Sequence, residues 1–132
     1  WIPAPFMIEV ATMWMTDGTA RRIIENHRDE AKKRQQLVKQ VLGDFTYRSH
    51  EAAFHIWLSL PKPWRHEDFV RECLNRNVAV NSSENFVIGR SATPHAVRIC
   101  LGGFRNTASL ERGLESLRDV LMNGHRHRTF VV

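Results

Sequence analysis

Arg98 is the residue whose type and setting most demand a chemical explanation. It stands in the run Ala96-Val97-Arg98-Ile99-Cys100-Leu101, which alternates as a strand does. With Val97, Ile99 and Leu101 facing a core, Arg98 and Cys100 face the other way. An arginine inside an otherwise apolar strand needs an anionic or polar partner. Its planar fork matches a carboxylate in two parallel hydrogen bonds. Two partners are open: a local Asp or Glu, or the carboxylate of a bound ligand.

The other reactive residue types do not assemble. Gly89-Arg90-Ser91-Ala92 begins like a nucleophile elbow but lacks the second glycine. There is no Walker loop and no Gly-x-Gly-x-x-Gly. Gly102-Gly103 lies between a strand and a helix and could present amides to an anion, but alone it reads as a loop pair. Of the 7 histidines, His125 and His127 come nearest to metal spacing, with no acids beside them, so the expectation is no metal site. His27 and His55 fall on a helix and a strand, and His66 in the first turn of a helix. Glu111, Glu115 and Asp119 repeat every four residues beside Arg112 and Arg118, the pattern of a solvated helix face. Cys73 and Cys100 sit in apolar segments and read as reduced core residues. Net charge is +5, but Arg21-Arg22 and Lys32-Lys33-Arg34 are interleaved with Glu25, Asp29 and Glu30. That reads as a solvated face rather than a nucleic-acid surface.

These residues must be carried by one small domain. The 132 residues are 42% hydrophobic and 25% charged, ordinary for a globular chain with a real core. No apolar run reaches the roughly 20 residues of a membrane helix, and the first residues lack a signal-peptide shape. Residues 5–16 carry Phe6, Met7, Val10, Ala11 and Trp14 at helical spacing. After Asp17-Gly18-Thr19 a second helix is expected to about Leu42, with the stripe Ala20, Ile23, Ile24, His27, Ala31, Leu37, Val38, Val41. At about 36 Å it is long for such a domain, as bridging helices are.

Strands are expected at 45–48, 52–60, 78–80 and 96–101. Helices are expected at 67–75 and from Asn106 or Thr107 to about Asn123, the latter with the stripe Leu110, Leu114, Leu117, Leu121. Residues 81–85 read as polar loop. His55 and Trp57 on the second face of their strand imply that this face is covered too. The class is α+β: two N-terminal helices, then a small three- to four-stranded sheet with helices packed on one face. The expected organisation is a helical segment 1–42, an α+β unit 43–123 and a tail 124–132.

The order of elements, with Ala53-Phe54-His55-Ile56-Trp57-Leu58-Ser59-Leu60-Pro61, then Asn77-Val78-Ala79-Val80, Phe86 and the Arg98 strand, resembles a known arrangement. It is similar to the C-terminal small domain of fold-type I pyridoxal-phosphate-dependent aminotransferases. The His-x-Trp-Leu-x-Leu-Pro strand looks most like the MocR branch of GntR-type transcriptional regulators, which join a winged-helix DNA-binding domain to an aminotransferase-like domain. Trp14-x-x-Asp17-Gly18-Thr19-Ala20, Arg28-x-Glu30 and Arg34-Gln35 look like the helix pair preceding that small domain. The resemblance covers roughly residues 1 to 123. It departs at Asn81-Ser82-Ser83-Glu84-Asn85-Phe86, where the family pattern has Pro-Gly-x-x-Phe.

The resemblance implies that Arg98-Ile99 matches the small-domain arginine that grips the substrate α-carboxylate. It implies pyridoxal 5'-phosphate in the intact parent, held through a lysine in a Ser-Lys segment upstream of this chain, with Trp1 matching a Gly-Trp step soon after it. Lys32, Lys33, Lys39 and Lys62 lie in charged or proline-bounded settings unlike a desolvated imine-forming lysine. The chain is therefore expected to be a fragment, without catalysis or cofactor of its own. The implied partners are its own large domain, a homodimer partner, an amino-acid or amine ligand, and DNA only through an N-terminal domain outside this chain. A cytoplasmic setting and no membrane association go with them. A metabolic class I/II aminotransferase, or a free-standing interaction domain of this fold, remain alternatives. Cut from a large domain, the chain is expected to expose Phe6, Met7, Met13 and Trp14.

Overall fold

The computed structural model describes residues 4–62, 64–89 and 92–123. Helix α1 spans Pro5–Thr16 and α2 spans Thr19–Leu42; strand β1 is Tyr47–Arg48 and β2 is His55–Ser59. Helix α3 is His66–Asn75, β3 is Asn81–Ser82, a 3-10 turn covers Ser83–Phe86, β4 is Ala96–Cys100 and α4 is Thr107–Asn123. The four strands form one antiparallel sheet in the order β1-β2-β4-β3. This is the expected α+β architecture.

The helix boundaries have local causes. Pro5 opens α1, where a missing N–H costs nothing. Between the first two helices Gly18 has φ +83°, a left-handed conformation that glycine adopts without penalty. Asp17 Oδ1 accepts the Thr19 N–H at 2.8 Å, and that bond draws its carboxyl below the usual range. Asn106 Oδ1 caps α4 by accepting the Ser109 N–H at 2.9 Å.

One sheet face is closed. Ile56 and Leu58 of β2 stand opposite Ile99 and Val97 of β4, and all four are buried. Leu37, Val38 and Leu42 of α2, Phe69 and Cys73 of α3, and Leu110, Leu114, Leu117, Val120 and Leu121 of α4 complete the same core. On α4 the stripe falls at helical spacing as read from the sequence. Gly113 sits on this helix where a Cβ would come 2.9 Å from the Phe104 ring, so the glycine admits that ring.

Four expectations need correction. The stripe of α2 begins packing only at Ala31; Ile23 and Ile24 are 36% and 50% exposed and His27 is exposed. The sheet and α4 cover only the C-terminal part of so long a helix. Second, 78–80 is not a strand and 81–85 is not a loop: the strand is Asn81–Ser82 and a 3-10 turn follows it. Asn77 turns left-handed at φ 59° and the Val78 N–H returns to Cys73 O at 2.9 Å, so Val78 and Val80 enter the core before pairing begins at Asn81. Third, Cys100 is exposed, whereas Cys73 is buried. Fourth, the second sheet face is not covered by a layer: His55 and Cys100 are exposed and Trp57 only half-buried. Alternation records which side a residue takes, not whether anything lies over it.

Candidate functional site

The open sheet face places one residue from each strand in a row. Arg48 of β1 pairs with Trp57 of β2, Trp57 with Arg98 of β4, and Arg98 with Asn81 of β3. Arg98 is central because β4 lies between β2 and β3. Its Cζ lies 4.3 Å from the centre of the Phe86 ring. Phe86 in turn meets Trp57 edge-on, with ring centres 5.3 Å apart. The guanidinium is therefore stacked on one aromatic ring and bordered by a second.

Arg98 has no hydrogen-bond or ion-pair partner among the described residues, and its Nε is buried without one. No local carboxylate, the plainer of the two partners open from the sequence, pairs with it among the described residues. Arg34 shows how this fold treats a structural arginine. It is 7% exposed on α2, bonds Glu30 Oε1 through Nε at 2.8 Å, and donates to the carbonyls of Leu101 and Phe104. Those bonds tie α2 to the loop after β4. The reading of Arg34 from sequence did not extend to this role, because its acceptors lie 67 and 70 residues away.

The segment 81–86, where the sequence departs from the aminotransferase pattern, is ordered by side chains. Ser82 Oγ accepts the Glu84 N–H at 3.2 Å, which caps the 3-10 turn. Ser83 is 2% exposed and donates to Pro94 O at 2.6 Å. Phe86 reaches Arg98 from this turn. The sequence marked Phe86 as part of the pattern but gave no distance to the arginine.

The remaining candidates do not join this site. Lys32, Lys33, Lys39 and Lys62 are all exposed, so none offers the desolvated amine that imine chemistry needs. The residues described here do not fit pyridoxal phosphate as its holder. Lys32 and Lys39 instead line an open groove with Tyr47, Ser49, His50 and Glu51. Gly102 and Gly103 form the loop that Arg34 ties down through its neighbours Leu101 and Phe104. No His, Cys, Asp and Glu grouping suited to a metal occurs among the described residues. His125 and His127 lie outside them. No helix among the described residues is long and apolar enough to cross a membrane.

Comparison with known proteins gives two kinds of likeness. No protein-family model matches the chain. In sequence it is similar to an uncharacterized HTH-type transcriptional regulator, YdeF, of Bacillus subtilis (strain 168), with 29% identity over 118 residues. That match takes in 89% of this chain and 26% of the relative. In structure it is similar to an archaeal alanine:glyoxylate aminotransferase, with a TM-score of 0.68, 15% identity, and coverage of 86% of this chain and 29% of that one. It is also similar to LysN, the α-aminoadipate aminotransferase of Thermus thermophilus, solved with N-(5'-phosphopyridoxyl)-L-leucine. There the TM-score is 0.67 and the identity 18%, over 87% of this chain and 29% of that one. The chain spans about a quarter of the length of its curated relative. It has the fold of part of an aminotransferase and a sequence likeness to part of an HTH-type regulator.

Proposed function

We propose that this chain is the small-domain part of an aminotransferase-like domain in a GntR/MocR-type transcriptional regulator. It closes over an amino-acid or amine ligand and holds a ligand carboxylate with Arg98. The observation that carries this reading is the setting of Arg98. Its guanidinium is oriented by Phe86, faces the open side of the sheet, and has no protein acceptor among the described residues. A carboxylate supplies the bidentate acceptor that the guanidinium lacks.

The regulator-like relative supports the DNA-linked role, and the aminotransferase fold supports a ligand of amino-acid type. In this reading, pyridoxal phosphate and the winged helix belong to the rest of a larger, homodimeric protein in the cytoplasm. The second reading, a metabolic class I/II aminotransferase, is favoured by the solved neighbours themselves, which are enzymes.

The test is Arg98→Ala and Arg98→Lys in the whole protein, with amino-acid binding measured directly. Loss of a charge-assisted bidentate contact is expected to weaken binding by about tenfold or more. Unchanged affinity in both variants overturns the role of Arg98. Turnover with an amino acid and an oxo acid, set beside ligand-dependent DNA binding, separates the regulator from the enzyme.

A further inference from the structure

A small polar cluster lies at the 3-10 turn that carries Phe86 and does not itself touch Arg98 among the contacts described. Ser83 Oγ donates to the Pro94 carbonyl at 2.6 Å. His66, the first residue of α3, has Nε2 3.2 Å from the same carbonyl and 3.4 Å from Ser83 Oγ. Its Nδ1 faces Glu84 Oε1 at 3.5 Å, and its ring meets that of His95 with centres 5.0 Å apart. The residue types are those of a nucleophile, a base and an acid, but the arrangement is not suited to that chemistry. The Ser83 proton is committed to Pro94, and at 2% exposure the hydroxyl is out of reach of a substrate.

What the cluster does is join the start of α3, the 3-10 turn and the approach to β4 at one point. That turn carries Phe86, itself 40% exposed, whose ring lies against Arg98. A four-residue turn with an exposed aromatic does not hold itself in place. Where proline and glycine would set a turn through the backbone, this chain uses the Ser82 cap and the Ser83–Pro94 bond.

We infer that Ser83 and His66 are positioning residues for the Arg98 site. They hold the 3-10 turn so that Phe86 covers one face of the guanidinium and presents its outer nitrogens to a carboxylate. This rests on the proposed role of Arg98. A guanidinium already held on a ring has less freedom to lose when it binds.

The experiment is NMR on the protein labelled with nitrogen-15 at arginine, with acetate as the carboxylate probe. The Arg98 Nε–H signal is expected upfield, displaced by the Phe86 ring, and Phe86→Leu identifies it by removing the displacement. Ser83→Ala and His66→Ala are each expected to remove half or more of that displacement. They are also expected to weaken acetate by roughly two- to five-fold, the size of a partly exposed cation–π contact. The Ile56 and Val97 amide signals should hold their positions, and Ser83→Thr should restore both readouts. Displacement and affinity retained in both alanine variants overturn the inference. If Ser83→Ala unfolds, His66→Ala decides by the same criterion. If unsubstituted Arg98 ignores acetate, the carboxylate reading fails, and the positioning role stands or falls on the displacement alone.

Discussion

On one side of the sheet, Ile56, Leu58, Val97 and Ile99 lie buried beneath three helices; on the other, Trp57, Arg98 and Cys100 remain within reach of solvent. The same two strands supply both sets, residue by residue. The closed face is satisfied within the chain. The open face holds an arginine whose bonding capacity the described residues leave unused. Arg34 and Arg98 make the contrast sharp. One is fully employed in holding α2 to the β4 loop; the other, among the described residues, is stacked on an aromatic ring without a hydrogen bond. In this fold the packing of the core and the unpartnered guanidinium lie on opposite faces of one sheet.

The N-terminal arm extends the comparison. Helix α1 has no buried residue, and Phe6, Met7, Met13 and Trp14 are 74%, 60%, 56% and 47% exposed, as the sequence led one to expect. Ile23 and Ile24 at the start of α2 are exposed as well, so both N-terminal helices present large apolar side chains to solvent. The reading of this chain as part of a larger one gives these side chains a partner in its own large domain.

The largest effect should come from the closed face. Phe69 is fully buried between α3 and the sheet, so Phe69→Ala is expected to cost about 3–5 kcal/mol in denaturant unfolding. A cost below about 1 kcal/mol would break the division between the faces. The paired arginines come next. Arg34→Ala leaves the Leu101 and Phe104 carbonyls without their donor and should cost about 2–3 kcal/mol. Arg98→Ala should leave stability within about 0.5 kcal/mol while abolishing the carboxylate response. Equal losses of stability for the two would remove the contrast.

The cysteines give the mildest probe. A thiol reagent at neutral pH should modify Cys100 and spare Cys73 until the chain unfolds. Burial pushes the Cys73 thiol from 9.0 up to about 12, so the folded chain keeps a proton that the unfolded chain loses first. The stability from that burial is whole below pH 9.0 and declines as pH rises towards 12. Cys73→Ser should flatten this decline in an unfolding series run across that range.

Much of the fold could be read along the chain. Leu110, Leu114, Leu117 and Leu121 line α4 at helical steps, and all are buried. The alternation of β2 and β4 assigned Leu58 and Val97 to one face and Trp57 and Arg98 to the other, as the pairing bears out. The misplaced strand at 78–80 shows the limit. Val78 and Val80 carry an alternating pattern, but a strand also needs a neighbour, and pairing with β4 begins three residues after Val78, at Asn81. Cys100 shows it again, because its side of the sheet was legible and its exposure was not.

The sequence by itself determined the types of the longer elements, the core stripe of α4, the side of the strand on which Arg98 stands and the aminotransferase likeness. These follow from periods of 3.6 and 2 and from residue order, which are local properties of the chain. Only the tertiary structure decided that α2 packs from Ala31 onward, that Arg34 is bonded while Arg98, among the described residues, is not, and that His66 meets Ser83 at the turn that carries Phe86. Those facts depend on contacts between residues far apart in the chain, and no local pattern encodes which distant acceptor a side chain will meet.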